Sequence, residues 1–198
     1  MRFIGKKIAV AALTLCAIAA QADEPAEIKN CTWCHGTSGQ GVSTAPRLAG
    51  QRHRYIEKQL ASFYQHTRDN PFSRQFMWGA VAALSPQSAR ELADYFSTLP
   101  PKAASDGDPG LVETGKTIYE LGIPDSNVVS CLVCHSPNAE GVREIPRLGG
   151  LAYSYLKRRL AQWGEGYHAV GAYPMPRVAR SLSPNEIDAL ASYLSFIK

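Results

Sequence analysis

Two five-residue segments hold the residues best suited to chemistry, Cys31-Thr32-Trp33-Cys34-His35 and Cys131-Leu132-Val133-Cys134-His135. Both read C-x-x-C-H. Thiols three positions apart fall on one side of a helical turn. At that spacing they can add to the two vinyl groups of one porphyrin. The histidine that follows then stands beneath the iron and offers an imidazole nitrogen. Thioether bonds keep such a cofactor attached even when an axial bond is lost. Two other chemistries compete. A thioredoxin-type C-x-x-C pair needs a βαβ surround, and the sequence shows none. Structural zinc prefers four closed ligands from paired knuckles. Two intact C-x-x-C-H motifs in one chain point to two covalently bound haem c groups.

Each iron then needs a second axial decision. An iron ligated on both sides transfers electrons, and an open one can act on a small molecule. Beyond Met1 the chain has two methionines, Met77 and Met175, standing 42 and 40 residues after His35 and His135. A methionine is usually core filler. One per motif, at matched positions, reverses that expectation. His53, His66 and His168 are the rivals. His53 aligns with Tyr153, and neither His66 nor His168 has a histidine counterpart, so these read as solvent-facing or loop residues. His/Met ligation is expected at both irons, His35 with Met77 and His135 with Met175, and a thioether ligand raises the potential.

The proximal imidazole needs an acceptor for its other N–H. The backbone carbonyls of Pro46 and Pro146 are the candidates, although these prolines could merely turn the chain. Arg47 and Arg147 could pair with haem propionates or stand solvated. The run Lys157-Arg158-Arg159 reads as the wet face of a helix.

The elements that must position these groups come as a repeat. A shift of 100 superimposes the motifs, Gly41-Val42 on Gly141-Val142, Pro46-Arg47-Leu48 on Pro146-Arg147-Leu148, Gly50 on Gly150 and Tyr55 on Tyr155. Further on the shift is 98, with Met77 on Met175, Leu84-Ser85-Pro86 on Leu182-Ser183-Pro184 and Tyr95 on Tyr193. A Pro-, Gly- and Ser-rich stretch separates the copies. The expected layout is a unit over 23–99, a linker over 100–110 and a unit over 111–198. Each unit is near the small end of domain sizes, so a buried porphyrin would supply much of its core.

The coarse pattern is helical. Residues 55–64 and 153–163 carry apolar residues at helical spacing. Ser183-Pro184-Asn185-Glu186 is a capping box with Pro at the first helical position, and Ile187, Leu190, Ala191 and Leu194 repeat at i, i+3, i+4, i+7. Ser85-Pro86 opens the equivalent helix. An amphipathic stretch over 111–121 precedes the second motif, whereas its counterpart over 24–30 is short and poorly patterned. No convincing alternating strand is present.

The N-terminus reads as an address label. Arg2, Lys6 and Lys7 precede an apolar run over 8–20 and the A-x-A site Ala20-Gln21-Ala22, the pattern of a cleaved secretory signal peptide over 1–22. Thirteen apolar residues are too few for an anchor. Bulky Leu15 before Cys16 disfavours lipidation. Cleavage removes Cys16 and lowers the formal net charge from +4 to +1. Nucleic-acid binding by bulk charge is therefore unsupported. The chain is 45% apolar and 19% charged, which places it among folded proteins rather than disordered ones.

The paired motifs, the Pro-Arg-Leu-x-Gly segments, the single methionine per unit and the Leu-Ser-Pro helix openings together resemble the di-haem cytochromes c of the cytochrome c4 type, over essentially the whole mature chain. The resemblance implies an all-α fold of two tandem class I cytochrome c domains, each wrapped around one covalently attached haem, and related by an approximate two-fold axis. It implies Cys31, Cys34, His35 and Met77 for one haem, and Cys131, Cys134, His135 and Met175 for the other. It further implies a periplasmic electron carrier, at most peripherally bound to the membrane, between a quinol-oxidising cytochrome bc complex and a haem–copper terminal oxidase. Two departures bear on the interface between units: the abbreviated helix before the first motif, and Leu151 where the first unit has Gln51. A cytochrome subunit of a flavoprotein dehydrogenase, such as one oxidising sulfide, is the alternative. A di-haem peroxidase would need one iron to open, which two equivalent methionines oppose.

Overall fold

The computed structural model describes residues 27–198. The expected signal peptide lies outside the described residues. Among those described, the chain forms α-helices, short 3₁₀ and π turns and two isolated β-bridges, with no named strand.

The first unit contains α1 (Ile28–His35), α2 (His53–Tyr64), α3 (Trp78–Val81) and α4 (Pro86–Thr98). The second contains α5 (Val112–Leu121), α6 (Leu132–His135), α7 (Tyr153–Gly164), α8 (Met175–Arg180) and α9 (Pro184–Phe196). Each C-x-x-C-H therefore closes a helix, α1 or α6, with the histidine as its last residue. The start signals work as expected. Ser85 Oγ accepts from the Ser88 N–H at 3.0 Å. Ser183 Oγ accepts from the Glu186 N–H at 3.4 Å, and Glu186 returns a carboxylate to the Ser183 N–H at 2.6 Å.

Each unit has its own apolar core. The first is small: Ile28, Ile56, Leu92, Ala93 and Phe96. The second is larger, because α5 packs along α9 and brings Ile118 and Tyr119 against Leu190 and Leu194. Gly115 makes that crossing possible. A Cβ there would stand 2.0 Å from the Ala189 carbonyl oxygen, so only glycine permits the approach. The described part of the 24–30 stretch leads straight into α1.

The connecting segment is held along its length. Gln40 donates to the Pro100 carbonyl at 2.9 Å and accepts from the Lys102 N–H at 3.0 Å. Ala104 donates to the Gly150 carbonyl at 3.1 Å and Ser105 to the Ser195 carbonyl at 2.9 Å. The Gly107 and Asp108 N–H groups reach the hydroxyls of Ser195 and Ser192, each at 3.1 Å. Those two serines sit fully buried in α9. Their hydroxyls satisfy the backbone of a stretch that composition alone marks as a spacer.

Candidate functional site

Each motif histidine ends its helix because the next residue takes a positive φ, 81° at Gly36 and 71° at Ser136. The chain then loops back. Gly41 donates to the His35 carbonyl and Gly141 to the His135 carbonyl, both at 2.8 Å. Both glycines have positive φ, and a Cβ at Gly141 would lie 2.4 Å from the Pro146 carbonyl carbon. This close return places a prolyl carbonyl over each ring. His35 Nδ1 lies 2.7 Å from Pro46 O, and His135 Nδ1 lies 3.0 Å from Pro146 O. With Nδ1–H donating to a carbonyl, Nε2 is the nitrogen left to coordinate. Burial pushes both imidazoles below their usual range, against the opposing pull of the prolyl carbonyl. A neutral imidazole is the form a metal requires.

Cys31 and Cys131 are half-buried, and loss of solvation raises both thiols to about 11. Cys34 lies exposed and Cys134 half-buried, and none of the four forms a disulfide. Met77 closes a single π turn, Ser73–Met77, that leads into α3. Met175 opens α8 and packs on the second core. Both are half-buried. Among the described residues, no three His, Cys, Asp or Glu side chains converge as a metal site.

A second set of polar groups lies buried where the units meet. Arg68 is 6% exposed and Arg159 5%. Arg68 donates to Gln59 Oε1 at 2.6 Å and to Tyr155 Oη at 3.2 Å, with its guanidinium 4.6 Å over Phe63. Arg159 donates to Gln162 Oε1 at 2.8 Å, with His168 Nδ1 at 3.2 Å, and lies 4.5 Å over Trp163. Neither forms an ion pair among the described residues. Burial and the charge of Arg68 push Arg159 down to about 10. Arg68 Nε and Trp163 Nε1 are buried without a partner. Two buried cations without an anion are costly. The carboxylates of two haem groups fit that deficit, as the two C-x-x-C-H segments and oriented imidazoles fit the porphyrin and iron.

These groups correct three expectations. Arg47 is not free for a propionate, because its guanidinium donates to the carbonyls of Lys102, Gly150 and Gly149. The run at 157–159 is a wet face only at Lys157, which is exposed. Lys157 pairs with Asp188 at 2.6 Å, Arg158 donates to the Thr44 carbonyl at 3.0 Å and caps Phe72, and Arg159 is buried. Of the three, Arg158 reaches directly into the other unit. His168 lies in the turn after α7, a loop residue as expected, but it does not face solvent. It is 4% exposed, and its backbone N–H donates to Asp69 Oδ1 at 2.7 Å across the boundary. His66 does stay at the surface, stacked on Trp78 at 3.9 Å. The missed residues had one signal: Tyr155, Arg159 and Gln162 share a helical stripe, and so do Tyr55 and Gln59.

The fold and site define a duplicated c-type haem protein. The family model for cytochrome c matches residues 20–100 and again 112–198. Cytochrome c4 of Azotobacter vinelandii is 33% identical over 174 residues, covering 83% of this chain and 82% of that protein. A thiosulfate dehydrogenase electron acceptor from Thiomonas intermedia is 31% identical over 205 residues, covering 98% and 91%. The solved cytochrome c4 of Acidithiobacillus ferrooxidans superimposes with a TM-score of 0.79 at 31% identity, over 84% of this chain and 98% of that one. The chain belongs to the cytochrome c family, as a di-haem class I cytochrome of the c4 type. It carries two covalently bound haem c groups and is an electron carrier rather than an enzyme. No helix among the described residues is long and apolar enough to cross a membrane.

Proposed function

We propose that this is a periplasmic carrier, exported through a leader over 1–22, that takes electrons from a quinol-oxidising cytochrome bc complex and delivers them to a haem–copper terminal oxidase. Its units span 23–99 and 111–198, joined by 100–110. Cys31 and Cys34 hold the first haem, with His35 and Met77 as axial ligands. Cys131 and Cys134 hold the second, with His135 and Met175. When bound, each haem supplies one Fe(III)/Fe(II) couple.

The observation that carries this reading is the pair of imidazoles, each aimed by a prolyl carbonyl at 2.7 and 3.0 Å. The chain's own residues then act as a rigid mount. The carbonyls fix ring and tautomer, and the buried Arg68 and Arg159 offer charge to anionic groups at the boundary. Trp33 is 90% exposed and Val133 74%, at matched places between the motif cysteines. Small exposed apolar patches suit brief docking of a redox partner. The two units carry the same formal charge, +1 over 23–99 and +1 over 111–198, and the connecting segment over 100–110 carries −1.

The similarity to a thiosulfate dehydrogenase electron acceptor favours a second reading, in which a sulfur-oxidising dehydrogenase is the donor. Stopped-flow reduction of the purified holoprotein separates the two. The first reading expects rapid reduction by quinol with a bc complex and rapid oxidation by a haem–copper oxidase. Rapid reduction only by thiosulfate with its dehydrogenase replaces the first reading with the second. Co-purification of a flavoprotein would favour a dehydrogenase subunit instead.

A further inference from the structure

We infer that Gln51, in the first unit, is a positioning residue for the proximal histidine of the second unit, acting through the peptide group between Pro146 and Arg147. This rests on the assignment of His135 as an axial ligand. Gln51 is 6% exposed and sits just before α2. Its Oε1 accepts from the Arg147 N–H at 2.7 Å, and its Nε2 donates to the Arg147 carbonyl at 3.0 Å. The same Oε1 accepts from the Arg52 N–H at 2.9 Å, which sets the amide's orientation.

The Arg147 N–H belongs to the same planar group as the Pro146 carbonyl. That carbonyl faces His135 Nδ1 at 3.0 Å. A hydrogen-bond chain therefore runs from the Gln51 amide, through one peptide unit, to the imidazole. An acceptor on the N–H side draws negative charge toward the carbonyl oxygen, which then binds the imidazole N–H more strongly. A more strongly held N–H makes the ring a more basic ligand and favours ferric over ferrous iron. Gln51 thus lowers the potential of the second centre.

The first unit has no equivalent. Residue 151, which aligns with Gln51, is leucine, 4% exposed and part of the second core. Its side chain has no polar atom to offer the Arg47 N–H. From the first unit, the reciprocal position 47 crosses by its guanidinium to the Gly149 and Gly150 carbonyls instead. In the duplicated site the coupling runs one way. It supports the longer of the two imidazole bonds, 3.0 Å against 2.7 Å.

The experiment compares the holoprotein with Gln51→Leu and Gln51→Glu. Haem-resolved NMR redox titration reads each potential, and the His135 Nδ1–H resonance reads the hydrogen bond. Gln51→Leu should raise the reduced-to-oxidised ratio of the second centre at fixed potential about threefold, or about 28 mV at 59 mV per decade. It should move the His135 Nδ1–H resonance upfield and leave the first centre in place. Gln51→Glu keeps the accepting oxygen, so the resonance should stay and the potential should not rise. An unmoved second centre in Gln51→Leu overturns the inference, as does an equal shift of both centres. If Gln51→Leu does not fold, a rise in the second potential or an upfield resonance in Gln51→Glu overturns it. If His135 in the wild type shows no haem-shifted resonance, the ligand assignment fails independently.

Discussion

Arg47 Nη2 donates to the Gly149 carbonyl at 2.6 Å, joining residues 102 apart in the chain. The same guanidinium serves the carbonyls of Gly150 and Lys102. One planar fork thus satisfies three carbonyls from the second unit and the connecting segment. Lysine cannot reproduce that geometry. Arg47→Lys should cost about 2–4 kcal/mol, since buried carbonyls lose charged donors. Denaturant unfolding measures this, and the absorption spectrum of both haems should stay unaltered.

Gly141 holds a positive φ of 68° against the backbone of 145–146. Gly141→Ala should push the Pro146 carbonyl off His135 and destabilise the second unit by about 2–4 kcal/mol. The damage should stay local. Circular dichroism in the Soret region should change for one haem, with the first unit intact.

Met77→His and Met175→His each test one axial assignment. Each should abolish the near-infrared band of sulfur-ligated ferric haem for one centre and lower that centre's potential, because a second imidazole favours ferric iron. Unaltered spectra in both variants would remove the proposed ligands. Carbon monoxide should bind the reduced wild type slowly, with both irons closed.

Arg159 is a buried cation with no ion pair to a carboxylate among the described residues. If it pairs with a propionate, Arg159→Gln removes a charge that favours ferrous iron. A change of about 1–2 kcal/mol, roughly 40–90 mV for one electron, follows at protein-like dielectric. Spectroelectrochemistry should register a fall in potential. A rise or no change would separate Arg159 from the haem carboxylates.

His168 is held down to about 3 by burial and then by the charges of Arg68 and Arg159, with Lys58 adding to these and Asp69 opposing. It is neutral in the fold, while an unfolded histidine titrates near 6.5. The unfolded state therefore binds the extra proton between these values. This contribution to stability is complete above about 6.5 and is lost as pH falls toward 3. Thermal unfolding followed from pH 7 to pH 4 should show a falling midpoint. His168→Gln should flatten that fall, and an unchanged slope would mean that other groups govern it.

The parts legible in the sequence were local. The attachment motifs, the prolyl carbonyls eleven residues past each histidine and the Ser183–Glu186 capping box all depend on residues close in the chain. The repeat exposed the duplication because both copies kept the same Gly, Pro and Tyr positions. What stayed hidden was how the copies meet. Arg68 finds Tyr155, and Gln51 finds Arg147, across separations of 87 and 96 residues. Periodicity marks Tyr155, Arg159 and Gln162 as a polar stripe, and such a stripe reads the same whether it faces water or a partner surface. Only packing α7 against the other unit tells the two apart.

Ser192 and Ser195 fasten the joining segment to α9 by three hydrogen bonds, two through hydroxyls and one through the Ser195 carbonyl. Gln40 and Arg47 tie the other end of the segment to the first unit, so the linkage leaves no slack between the two haem sites. Electron tunnelling between them then occurs over one fixed gap, so internal transfer should decay as a single exponential rather than as the spread of rates that a loose tether would produce.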